Sequence, residues 1–111
     1  MNTFKTIKNL TPHTVNLLDQ GGQEIMVITS QGESPRLQST MTDAGDVAGY
    51  PLVRQEFGET TGLPEAEEGV LILVSRLVLA ANPERKDLGV PVQFVRDTEG
   101  RILGCQAIEV R

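Results

Sequence analysis

The sequence predicts an α+β domain: a mainly antiparallel β-sheet, with one short helix after a buried central strand and a C-terminal hairpin. Three observations point there. Short runs of alternating or continuously apolar residues recur between clusters of Gly, Pro, Asn and Asp along the whole chain. One of them, Val70 to Val74, is apolar throughout and leads straight into Ser75 and a stretch of helix formers. Near the end, two apolar runs flank the turn formers Asp97-Thr98-Glu99-Gly100. A chain of 111 residues supports one core, so residues 1–111 are read as a single globular domain.

Phe4 to Asn9 alternates as a strand with one exposed face, and Thr11-Pro12-His13 interrupts it because proline fixes its own backbone and biases its neighbour toward extended geometry. Thr14 to Leu18 resumes as a strand, Asp19 to Gly22 turns, and Gln23 to Ile28 returns, so the first 30 residues are expected to form a β-meander. Ser30 to Pro35 reads as a loop, Arg36 to Met41 as a short strand, and Asp43 to Gly49 as turn-prone throughout. Tyr50 to Phe57 alternates as a strand near a sheet edge, with Pro51 at its start, where a missing N–H does least harm.

Gly58 to Gly69, carrying Glu65, Glu67 and Glu68, is expected to be an exposed connection. Val70 to Val74 is short and continuously apolar, which suits a strand buried on both faces at the centre of the sheet. Ser75 is placed to cap a helix of about two turns that Asn82-Pro83 ends. Val92 to Arg96 and Arg101 to Val110 form the final hairpin, with Gly104 marking a bulge.

Composition narrows the function. The formal charge is −5, and the few aromatic residues are Phe4, Tyr50, Phe57 and Phe94. Binding to a nucleic acid polymer draws on many neutralised phosphates and on aromatic stacking platforms, so neither nucleic acid nor an anionic membrane is an expected partner. No apolar stretch approaches the roughly 20 residues of a membrane helix. Cys105 is the one cysteine, and the first residues lack a charged start followed by an apolar run, so the expected compartment is cytoplasmic.

The segments Asn9-Leu10-Thr11-Pro12-His13, Gly62-Leu63-Pro64, Val74-Ser75, Asn82 to Leu88, Val95-Arg96-Asp97 and Gly100 with Ile102 to Cys105 together resemble a family of small uncharacterised bacterial and bacteriophage proteins. The resemblance spans most of the chain and implies a prokaryotic or phage origin. By analogy of size and context, phage proteins that sequester nucleotide signals of host immunity become a model for what such a domain does.

Chemistry-bearing residues are sparse. His13, the single histidine, sits in a turn where its imidazole can donate to an anionic ligand or fix its own backbone. Arg54, Arg76, Arg85 and Arg96 fall near the ends of expected elements, where guanidinium forks can converge on phosphate or pair with acids such as Glu56, Glu84, Asp87 and Asp97. Ser75 adds the start of a helix, where backbone N–H groups favour anions. Cys105 with His13 supplies the residue types of a thiol nucleophile and base, but a lone cysteine in an alternating strand is far more often a small buried apolar group. No metal-ligand spacing, phosphate loop or dinucleotide fingerprint is present. Neither a metal, a cofactor nor a catalytic residue is therefore expected.

These residues support a non-catalytic binder of a small phosphate-bearing, nucleotide-like ligand through His13, Arg54, Ser75, Arg76, Arg85 and Arg96, with a homo-oligomer as one way for so small a domain to enclose it. The alternative is a protein-interaction or inhibitor module acting through its acidic surface or an exposed strand edge. An enzyme ranks third.

Overall fold

The computed structural model describes residues 3–111. Eight strands and one helix follow in the order β1 (Thr6–Asn9), β2 (Val15–Leu18), β3 (Glu24–Ile28), β4 (Arg36–Val47), β5 (Tyr50–Thr61), β6 (Val70–Leu73), α1 (Arg76–Ala81), β7 (Leu88–Arg96) and β8 (Ile102–Val110). Six strands make one sheet in the order β1-β6-β7-β8-β2-β3, while β4 and β5 pair only with each other.

The β-rich class and the single short helix agree with the sequence reading, but the pairing is mixed rather than mainly antiparallel. β1 runs parallel to β6, β6 to β7, and β2 to β8; within the sheet only β2–β3 and β7–β8 are antiparallel. The expected N-terminal meander is therefore corrected: β2 and β3 form a hairpin, and β1 leaves it to lie beside β6. One of the parallel pairs, β6–β7, follows from the strand–helix–strand passage between its members. Residues 74–87 give the crossover of a dozen or more residues that parallel neighbours need, and α1 within it packs against β7.

β6 is buried on both sides, as its unbroken apolar run requires. Ile72 joins Leu10, Val74, Val78, Leu79, Leu88 and Val90 in a core under α1, while Leu71 and Leu73 point the other way to Val15 and Cys105. β7 and β8, rather than β6, occupy the middle of the sheet. α1 begins where expected: the Val78 N–H donates to Ser75 Oγ at 3.3 Å, and Asn82 follows the last turn with its side chain donating to the Val78 carbonyl at 2.8 Å.

The sheet curls until its edge strands β1 and β3 approach, and a buried amide spans them. Asn9 has no solvent exposure. Its Nδ2 donates to the carbonyls of His13 (2.8 Å) and Ile28 (2.9 Å), and its Oδ1 accepts from the N–H (3.0 Å) and hydroxyl (2.6 Å) of Thr11. Its backbone exchanges two further bonds with Gln31, the Asn9 N–H donating to Gln31 Oε1 at 3.0 Å and the Gln31 N–H to the Asn9 carbonyl at 2.8 Å. One side chain thus satisfies the strand end, the loop after it and the far edge of the sheet.

Gly104 marks a close approach. A Cβ there would lie 2.6 Å from the Asn16 carbonyl oxygen and 2.8 Å from Leu18 Cγ, so only glycine lets β2 seat against β8. The irregularity of the β7–β8 ladder falls between Val95 and Arg96, with Arg96 facing Ile102.

β4 and β5 form an antiparallel ribbon of 12 residues per strand that stands away from the sheet. The Cα radius of gyration is 17.1 Å, against about 13 Å for a compact domain of this length. The reading of Asp43 to Gly49 as turn throughout is corrected here. The strand runs on to Val47, an irregularity between Asp43 and Asp46 absorbs Gly45, and only Ala48-Gly49 turns. Both turn residues have positive φ (52° and 84°), the requirement of the tight hairpin turn whose twist matches the strands. At the ribbon's base, Asn82 Nδ2 donates to Thr60 Oγ1 at 2.9 Å.

Candidate ligand groove

Three segments distant in sequence meet at one end of the sheet. The loop after β1 brings Thr11 to Thr14, the junction of β6 and α1 brings Val74, Ser75 and Arg76, and the β7–β8 hairpin brings Pro91, Phe94, Ile102 and Leu103. Between them lies a groove of about 690 Å³, within the range of small-molecule sites.

Its polar end is built by local constraints. The His13 carbonyl accepts from Asn9 Nδ2, with the Thr11 hydroxyl, which donates at 2.6 Å to Asn9 Oδ1, also within reach of it, and this pins the backbone of an exposed residue that lines the groove. Ser75 Oγ is occupied as an acceptor by the Val78 N–H, and its own hydroxyl proton remains available to donate. Arg76 holds one contact, NH2 to Glu109 Oε1 at 3.0 Å, and is 61% exposed, so the rest of its fork is open to a ligand. The Arg76 guanidinium in turn holds the Glu109 carboxyl below its ordinary range.

The wall is apolar: Val15, Val90, Pro91, Phe94, Ile102 and Leu103. Phe94, Ile102 and Leu103 are about half exposed. Such a wall suits the flat face of an aromatic ring system, with the cationic and hydroxyl groups beyond it suited to an anion.

Of the six expected ligand residues, His13, Ser75 and Arg76 line this groove, whereas Arg54, Arg85 and Arg96 do not. Arg54 lies on β5 opposite Thr42, in the ribbon. Arg85 grips Asp87 with two bonds of 2.8 Å and fixes the approach to β7; hydrogen bonding to that arginine holds the Asp87 carboxyl below its ordinary value. Arg96 donates to the Gly100 carbonyl at 2.9 Å and closes the hairpin turn. The helix-start contribution is also corrected: α1 has six residues, too few for an anion site of its own, so Ser75 counts through its hydroxyl.

Cys105 borders the groove but is 1% exposed, and burial pushes its thiol up. That is opposite to the lowered thiol a nucleophile needs. Among the described residues no group of three His, Cys, Asp or Glu side chains is placed to hold a metal ion, and no helix is long and apolar enough to cross a membrane.

The apolar wall was missed in the sequence although one signal was present. Ile102-Leu103 are consecutive apolar residues in a strand, so one must face away from whatever covers the other. Both are in fact uncovered. Comparison with protein-family models, curated proteins and solved structures finds no match to this chain, so the functional argument rests on the groove's own chemistry.

Proposed function

We propose that the chain is a non-catalytic binding protein for a small phosphate-bearing, nucleotide-like ligand held in the groove between the β1–β2 loop, the start of α1 and the β7–β8 hairpin. The observation that carries this is the convergence of His13, from the β1–β2 loop, with Ser75 and Arg76, from the start of α1, beside an apolar wall built mainly by the β7–β8 hairpin. The wall receives the ring, the Arg76 fork takes phosphate oxygens, and Ser75 and His13 donate beside it. In a phage setting, such a protein lowers the free concentration of a host signal nucleotide by binding it.

The test is a thermal-shift and calorimetric titration of the full chain with nucleotides, cyclic nucleotides and ADP-ribose derivatives. A saturable rise in melting temperature for one of these is expected. Loss of a charge-assisted contact costs about 1.5–3 kcal/mol, so Arg76→Ala should weaken that ligand roughly 10- to 100-fold. Arg54→Ala, in the ribbon, should leave it unchanged. The reading fails if none of these compounds shifts the melt, or if Arg54→Ala weakens binding as much as Arg76→Ala.

A second reading, a protein-interaction module, draws on the ribbon formed by β4 and β5, whose apolar side chains are uncovered.

A further inference from the structure

We propose that the β4–β5 ribbon is an exchange arm, which packs against a second copy of this chain over the open edge formed by β3. The inference is independent of the ligand groove.

The arm cannot account for its own order. A two-stranded hairpin is marginal in water unless a further layer covers one face, and this one carries apolar side chains on both. Register places Phe57 opposite Ser39, Met41 opposite Gln55 and Val53 opposite Asp43, so Phe57, Met41 and Val53 share one face. Tyr50 faces Val47 at the tip and, with Leu52, lies on the other face. All six are exposed, Tyr50 by 74%. A ribbon that only lay along its own domain would need one apolar face. Two apolar faces suit an element enclosed by protein on both sides.

The body of the same chain carries the matching deficit. β3 pairs on one side only, with β2, and its consecutive residues Ile25, Met26 and Val27 are all exposed. Successive strand residues point to opposite faces, so both faces of this edge strand are uncovered. Natural edges are guarded by charge, proline or a covering element; on β3 the Asn9 amide reaches the Ile28 carbonyl at one end and Glu24 stands at the other, and between them Ile25, Met26 and Val27 have no such guard.

The areas agree with a second copy as the occupant. At roughly 100 Å² of uncovered side chain apiece, the arm and β3 together present on the order of 900 Å² of apolar surface. Summed over both faces of the ribbon and β3, that is close to the roughly 800 Å² that each partner of a standard interface buries. When each copy lends its arm to the other's β3, both surpluses are covered by one two-fold arrangement, which is how isologous dimers form.

The test begins with the native mass of the full protein at about 50 μM, above the roughly micromolar weak end of standard-size interfaces. The expected mass is twice that of the 12.1 kDa chain. Met41→Glu with Val53→Glu touches nothing within one chain's core and is expected to give a folded single chain of 12.1 kDa that keeps a cooperative melt. A second measurement stands apart from folding of that variant. Val53→Cys and mass-tagged Met26→Cys proteins are mixed and treated with a short bifunctional maleimide, Cys105 being buried; the expected product joins one chain of each kind. A monomeric wild type, an oligomer that survives the double substitution, or no mixed product overturns the proposal.

Discussion

Asn9→Asp replaces one buried atom and keeps the shape of the side chain, so no cavity enters the account. In the wild type, Nδ2 donates to the carbonyls of His13 and Ile28 at 2.8 and 2.9 Å, one in the β1–β2 loop and one at the end of β3. An ionised aspartate offers no donor and sets an anionic oxygen against both carbonyls. The His13 carbonyl is exposed and keeps the Thr11 hydroxyl within reach at 2.9 Å, so the cost falls on the buried Ile28 carbonyl, and an acceptor left without a partner predicts a loss of about 1–3 kcal/mol at neutral pH. Total stabilities of about 5–15 kcal/mol make that a large share. At about 4–8 °C per kcal/mol, the melting temperature should fall by at least roughly 4 °C. The sign with pH follows. Burial beside two carbonyls disfavours the charged form, so the new carboxyl is held above its unfolded value of about 3.9 in the folded chain. Protonated, it regains one donor. Its stabilising contribution is then full below that unfolded value and is lost as pH rises through the folded one, so the gap from wild type should be narrow near pH 4 and wide at pH 7. Thermal melts of both proteins across that range check it. A variant that melts within 2 °C of wild type at pH 7, or a gap that does not change with pH, would refute the role given to Asn9.

Two other substitutions probe how the sheet is assembled. Gly104→Ala places a Cβ 2.6 Å from the Asn16 carbonyl oxygen, a backbone atom that cannot swing aside, and should cost about 1–3 kcal/mol by forcing β2 from β8; a melt equal to wild type would refute the close approach. Asp87→Asn removes the charge from the Arg85 pair and should cost about 1–2 kcal/mol at pH 7. Because Arg85 holds the Asp87 carboxyl below its ordinary value, the wild-type advantage is present above about pH 4 and lost as pH falls through the folded value, so the two melting curves should converge in acid.

What the sequence made legible was local. Val70 to Val74, the Ser75 cap and the Asn82-Pro83 stop each follow from a property of consecutive residues, and the folded chain uses them as expected. Partner choice was not legible. Thr6 to Asn9 alternates identically whether it pairs with the next strand or with β6, which is more than sixty residues away in the chain. The arm was hidden for a different reason. Gly45, Asp46 and Gly49 carry turn chemistry, and the structure spends part of it inside a strand: Asp43 Oδ1 accepts from the Gly45 N–H at 2.8 Å within the irregularity, and only the Gly49 N–H, donating to Asp46 Oδ2 at 2.8 Å, serves the tip. The strands themselves were read, Arg36 to Met41 and Tyr50 to Phe57, but neither run records that the two pair only with each other or that they extend to 12 residues each.

The candidate site was half legible for a related reason. Arginine type alone does not distinguish Arg76, which lines the groove, from Arg85, whose fork is committed to Asp87, or from Arg96, which donates to the Gly100 carbonyl away from the groove. The difference is set by where the neighbouring acceptor falls in the fold. Asn9-Leu10-Thr11-Pro12-His13 shows the same division within five residues. Asn9 and Thr11 spend their polar atoms on the backbone and close the curled sheet, while Leu10 enters the core under α1. Pro12 and His13 are left exposed on the groove's rim. The loop that presents the imidazole is therefore held by the same amide that joins β1 to β3, so weakening Asn9 should loosen the groove before the rest of the core gives way.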